Sequence, residues 1–138
     1  MLECLIIGDS IAVGIGMNRP ECATIAKVGI TSQNWLHSYQ NHPTFNRPYK
    51  IAVISLGTND YRNTTAENIY DIRLKTKADM VIWILPSATL KPIQRVIIKE
   101  IANEFHDRTM DITQFIGPDG IHPHGKGYQD IAKQTLPK

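Results

Sequence analysis

The chain lacks any apolar run of membrane-spanning length. Its longest, Ile51–Leu56 and Met80–Leu85, are strand-length, far short of the roughly 20 residues that a bilayer-crossing helix needs. It also lacks a surplus of one charge. Fifteen Lys and Arg stand against thirteen Asp and Glu, for a formal net charge of +2. No stretch is basic enough to read as a nucleic-acid or membrane-surface patch. There is no internal repeat, no low-complexity segment and no linker, so the 138 residues are expected to form one domain, 1–138, with enough chain to bury a core. Cysteine is scarce: Cys4 and Cys22 only. The start, Met1-Leu2-Glu3, shows no basic n-region and no small-residue cleavage site. The expectation is therefore a cytoplasmic protein, with a virion-associated or otherwise exported form as the alternative. Two reduced, mostly buried thiols are then expected rather than a disulfide, although the strands that hold them could be neighbours.

What is present is an alternation of strand and helix. Leu2–Ile7, Ala23–Val28, Ile51–Leu56 and Met80–Leu85 read as strands, and Thr109–Ile112 as a short fifth. The third is Val/Ile-rich and continuous, as a strand buried on both faces should be. Thr31–Gln40 reads as a helix capped by Thr31 or Ser32, with Trp35 as a core residue. Thr64-Thr-Ala-Glu67 is a capping box that opens a helix to about Lys75. Pro92 suits the first turn of the next helix. There Ile93, Ile97, Ile101 and Phe105, with Val96, are the expected buried stripe. Tyr128, Ile131, Ala132, Thr135 and Leu136 mark one face of a last helix. The fold class expected is α/β: a three-layer α/β/α domain around a flavodoxin-like five-stranded parallel sheet.

In such sheets ligands bind beyond the carboxyl ends of the strands. Ser10 in Gly8-Asp9-Ser10 follows strand one. Gly29 follows strand two, Asn59 in Gly57-Thr-Asn-Asp60 follows strand three, and Asp119-Gly-Ile-His122 follows strand five. A serine, a histidine and an aspartate on one edge are the groups that serine-based acyl transfer needs. If a helical turn starts at Ser10, its N–H groups favour negative charge beside the hydroxyl. Gly29 lets a backbone N–H approach a substrate closely. The Asn59 amide and the Ser10 N–H can add donors to a developing oxyanion. Taken singly, each of these motifs is also an ordinary turn.

The set resembles the SGNH hydrolases, also called GDSL-type esterases and lipases. Ser10 in Gly-Asp-Ser-Ile, Gly29 in Val-Gly-Ile-Thr, Asn59 in Gly-Thr-Asn-Asp and His122 in Asp-Gly-Ile-His-Pro match the four family blocks, and Asp119 matches the family's aspartate. The resemblance runs from residue 8 to 123. Ile11 replaces the leucine of the motif name, and Lys27 stands where an asparagine often precedes the glycine.

The resemblance implies a serine esterase. Its catalytic residues would be Ser10, Asp119 and His122, and its oxyanion hole Ser10, Gly29 and Asn59. It implies no metal and no organic cofactor. Tyr61 and Arg62, in the loop after Asn59, are candidates to touch substrate. The expected partner is a small-molecule or carbohydrate ester, with no nucleic acid and no membrane span; the sequence assigns no oligomeric state. Pro86-Ser87-Ala88-Thr89 are small and no insertion could form a lid, so a shallow site preferring acetyl and other short acyl groups is expected. A lysophospholipase or thioesterase of the same family is an alternative. Three rivals stand further off: an α/β-hydrolase, disfavoured by a single strand before the serine; a metal site of Asp119, His122 and His124; and a non-catalytic binding module on the same fold.

Overall fold

The computed structural model describes residues 2–61 and 64–136. Five strands alternate with helices along the chain: β1 (Leu2–Gly8), α1 (Ser10–Met17), β2 (Ala23–Ala26), α2 (Ser32–Tyr39), β3 (Tyr49–Ser55), α3 (Thr64–Lys75), β4 (Ala78–Ile84), α4 (Pro92–Glu104), β5 (Arg108–Met110) and α5 (Gly125–Gln134). All strand pairs are parallel, in the order β2-β1-β3-β4-β5. This is the flavodoxin-like order, whose direction of winding reverses between β1 and β3.

Alternation along the strands builds a core on each side of the sheet. Leu5 and Ile7 of β1 face one cluster, with Trp35 and Leu36 of α2, Ile69 and Ile72 of α3, and Ile98 and Ile101 of α4. Cys4 and Ile6 face the other, with Ile11 and Ile15 of α1 and Ile131 of α5. The central strands are buried on both faces, which explains their uninterrupted apolar sequence. Trp35 is fully buried and its indole N–H donates to the Ile25 carbonyl at 2.9 Å. A polar tip inside a core needs such a partner.

Two sets of expectations are corrected, the buried faces of α4 and α5 and the state of the cysteines. On α4, Ile93 and Val96 are exposed, at 68% and 53%, and the buried positions are Gln94, Ile98, Ile101 and Ala102. The first turn presents Gln94 inward because its amide donates to the Asp60 carbonyl at 3.2 Å; that bond places Gln94, not Ile93, on the inner face. On α5 the expected face holds through Thr135, but Leu136 is 41% exposed.

The second correction concerns the cysteines, which form a disulfide. The reason is register. Leu5 pairs with Ala23 across β1 and β2, so Cys4 and Cys22 are the next rung back. Their Cα atoms are 4.9 Å apart, within the range a disulfide spans.

Candidate active site

The site lies at the carboxyl edge of the sheet, at the β1/β3 reversal. Strand β1 ends at Gly8, where φ is +141°. A Cβ there would collide with the Ser55 carbonyl of β3, so only glycine lets the two strand ends run this close. Asp9 follows as the N-cap of α1. Its Oδ1 accepts from the Ile11 N–H at 3.0 Å and from the Ser55 hydroxyl at 3.1 Å, and its own N–H donates to the Ser55 carbonyl at 2.9 Å. Ser10 is thus the first residue of α1, held at the helix end where N–H groups lack intrahelical partners.

The connection from β5 to α5 brings the other two groups. Ile116 and Pro123 form an antiparallel bridge, and Gly117 N–H donates to the His122 carbonyl at 2.8 Å. This folds Asp119–His122 into a tight turn. Asp119 Oδ1 accepts the N–H groups of Ile121 and His122, each at 2.8 Å, and Oδ2 lies 2.7 Å from His122 Nδ1. The two backbone N–H groups and the imidazole hold the Asp119 carboxyl down at about 2. A carboxylate that only accepts requires Nδ1 of His122 to carry the proton. Nε2 is then an acceptor, and it lies 2.7 Å from Ser10 Oγ. Ser10, His122 and Asp119 are therefore joined in series, and His122 can receive a proton from Ser10.

Gly29 and Asn59 lie in the loops after β2 and β3, at the same edge of the sheet. Gly29 has φ +78° and open space around it; the glycine is required by conformation, not by crowding. Asn59 Nδ2 donates to the Ile30 carbonyl at 3.1 Å. That fixes the amide and leaves its second N–H free for another acceptor. Tyr61 is 76% exposed and Lys91 Nζ sits 4.9 Å from its ring centre; with Thr31, Gln33 and Asn68 it borders a small polar depression. Arg62, the other proposed substrate contact, lies outside the described residues.

His124 does not join the others. It caps α5, its Nδ1 accepting from the Gly127 N–H at 3.0 Å, while both ring nitrogens of His122 are engaged. Among the described residues no cluster of three His, Cys, Asp or Glu could hold a metal ion, and the Asp119/His122/His124 trio is not assembled.

The expectation that Pro86–Thr89 enclose little space is revised. They line a cavity of about 510 Å³ that reaches Asp119 and Ile11, the residue after Ser10, together with Leu85, Leu90, Ile112 and Ile121. The opposite wall comes from the β5–α5 connection, some 25 to 30 residues further along the chain. That is why the β4 sequence alone suggests a shallow site.

The fold can be compared with solved structures. A GDSL-like lipase from Bacteroides thetaiotaomicron VPI-5482 superposes with a TM-score of 0.70 at 19% identity, over 96% of this chain and 84% of that one. A member of the lipolytic G-D-S-L family from Veillonella parvula DSM 2008 gives 0.71 at 18%, over 97% and 96%. The chain has the SGNH hydrolase fold. The C-terminal catalytic domain of peptidoglycan O-acetyltransferase A from Streptococcus pneumoniae also has a similar fold, with a TM-score of 0.64 at 16% identity over 95% and 88% of the chains. In sequence, YrhL of Bacillus subtilis (strain 168), named by assignment a peptidoglycan O-acetyltransferase, is 24% identical over 141 residues. The match takes in 94% of this chain and 22% of that protein, so the chain spans about a fifth of its relative. No family model matches the chain.

Two acidic residues of this candidate site are not evident from sequence. Asp9 and Asp60 are 1% and 4% exposed, although each sits in a motif that reads as a surface turn. A clue exists in both cases: each acid directly adjoins a candidate donor or nucleophile at a strand end, where loops converge.

Proposed function

We propose that this domain is a serine esterase. Ser10 attacks the ester carbonyl while His122 Nε2 takes its proton. Asp119 keeps the imidazole in the receiving tautomer and balances the imidazolium that forms. The N–H groups of Ser10 and Gly29 and the free N–H of Asn59 face the charge that develops on the carbonyl oxygen. His122 returns its proton to the leaving alkoxide, an acyl-enzyme forms on Ser10, and water activated by His122 releases the acid. The observation that carries this reading is the unbroken series of 2.7 Å contacts from Ser10 Oγ through His122 to Asp119, built at the edge where such folds bind ligands. No step calls for a metal or an organic cofactor.

The cleft modifies the substrate expected from sequence. Its apolar lining has room for an acyl chain longer than acetyl, and burial of each methylene favours binding. Esters of short to intermediate acyl chains are therefore the proposed substrates. A second reading places the alcohol in the cleft and keeps the acetyl preference; likeness to two peptidoglycan O-acetyltransferases supports it, with a carbohydrate as the alcohol or as the acyl acceptor. The Cys4–Cys22 disulfide supports work in an oxidising compartment rather than the cytoplasm.

The test is hydrolysis of p-nitrophenyl acetate and butyrate by the wild-type protein and by Ser10→Ala. Loss of turnover in a folded Ser10→Ala protein is expected. Wild-type protein without activity would favour a binding module on this fold.

A further inference from the structure

Asp60 is buried, and among the described residues its carboxylate bonds to one residue, Ser32, where the loop after β2 enters α2. One oxygen accepts the Ser32 N–H at 2.7 Å and the other accepts the Ser32 hydroxyl at 2.5 Å. Its carbonyl accepts from Lys91 Nζ at 3.3 Å and from Gln94 Nε2 at 3.2 Å. Its N–H donates to the Gly57 carbonyl at 3.1 Å. One residue therefore ties together the loop after β2, the loop after β3 and the start of α4.

The first two of those loops carry the proposed oxyanion donors. Ser32 lies three residues after Gly29. Between them, the Ile30 carbonyl accepts the Asn59 amide at 3.1 Å. The two loops are thus joined at adjacent points, Asn59 to Ile30 and Asp60 to Ser32. The first bond, made through one N–H of Asn59, aims the other. It holds that aim only while Ile30 keeps its place, and Ser32 anchors the Ile30 segment. A carboxylate suits this role because it offers two acceptors, and Ser32 presents two donors side by side.

We infer that Asp60 is a positioning residue for the oxyanion site: by clamping Ser32 it fixes the separation between the Gly29 N–H and the Asn59 amide. The inference rests on the esterase reading, and it goes beyond it in giving a residue that touches no substrate control over transition-state stabilisation. Asparagine at 60 keeps an acceptor for the Ser32 N–H, and the serine hydroxyl can turn to accept from the new amide. Alanine keeps neither contact.

The experiment compares Asp60→Ala, Asp60→Asn, Ser32→Ala, Asn59→Ala and the Asn59→Ala/Asp60→Ala double variant. Active sites are counted with an organophosphonate, so that kcat refers to competent molecules only. Loss of one oxyanion donor lowers kcat by about 10²- to 10³-fold, which is the expectation for Asn59→Ala. Asp60→Ala is expected to approach the lower end of that range with KM nearly unchanged, and Asp60→Asn to restore most of the loss. Ser32→Ala, which keeps its backbone N–H on Asp60 and should fold, is expected to show a small kcat loss. The double variant should be little worse than Asn59→Ala, since residues acting through one unit are not additive. A purely structural Asp60 would reduce the number of titrated sites and leave kcat per site at the wild-type value; that result overturns the inference, as do multiplicative losses in the double variant. Ser10→Ala in the same panel separates the two failures. If it is inactive while Asp60→Ala turns over normally, only the role of Asp60 falls; if Ser10→Ala remains active, the esterase reading falls with it.

Discussion

Replacing Asp9 by asparagine tests the electrostatics beneath Ser10. Asp9 is 1% exposed, and Oδ2 has no hydrogen-bond partner among the described residues. Burial raises its carboxyl from 3.8 to about 6, against the opposing hydrogen bonds from Ser55 and Ile11. A raised carboxyl means that the folded state prefers the neutral acid. The stability this gives is complete below pH 3.8 and is lost as pH rises through 6. The shift corresponds to roughly 3 kcal/mol between the two limits. Urea denaturation at intervals from pH 4 to 7 should therefore show wild-type stability falling by an amount of that order. Asp9→Asn keeps one acceptor for the Ile11 N–H and the Ser55 hydroxyl but buries an unpartnered NH₂, so its stability should be lower at pH 4 by about 1–3 kcal/mol. Its slope between pH 4 and 7 should be flatter. Glu21, Asp111 and Asp119 are shifted downward, lie at the surface and act at the acid edge with the opposite sign. A wild-type curve that is flat or rising between pH 5 and 7, or an Asp9→Asn curve with the wild-type slope, would refute this account of the N-cap.

Two further outcomes are expected. Across p-nitrophenyl acetate, butyrate, octanoate and palmitate, kcat/KM should rise from acetate by up to about fourfold per buried methylene and fall again at palmitate. Leu90→Ala or Ile121→Ala should reduce the octanoate rate far more than the acetate rate; a maximum at acetate would move the alcohol, not the acyl chain, into the cleft. The Cys4–Cys22 bond closes a segment with a sequence separation of 18, so the Cys4→Ala/Cys22→Ala variant should lose about 3 kcal/mol of stability, and thiol titration of the purified wild-type protein should find no free cysteine. Two free thiols, or equal stability with and without reductant, would exclude the disulfide.

The parts of the fold that sequence reveals are those set by short-range pattern. Val81–Leu85 and Ile51–Leu56 are continuous because both faces are buried, and α3 starts where the Thr64-Thr-Ala-Glu67 pattern marks a helix start. The site blocks are legible because each ends a strand, and parallel strands place those ends on one edge. What is not legible depends on long-range partners. The α4 stripe is turned by the bond from Gln94 to the Asp60 carbonyl, which no periodicity contains. The disulfide depends on the register that sets Leu5 opposite Ala23. The cleft needs two walls, one following β4 and the other β5, and neither segment alone shows the space between them. Asp9 and Asp60 look like turn residues because aspartate is common in turns; their burial is decided by Ser55, at the end of β3, and Ser32, at the start of α2.

The central claim is that Ser10 is the nucleophile, and the most direct measurement is trapping it. Wild-type protein incubated with an organophosphonate and then analysed by intact mass and peptide mapping should carry one adduct, on Ser10, with esterase activity lost in proportion to labelling. Ser10→Ala should take up no adduct and turn over p-nitrophenyl butyrate on the order of 10⁴-fold more slowly or worse. An adduct mapped to another residue, or a folded Ser10→Ala protein that hydrolyses the ester at near the wild-type rate, would contradict the account.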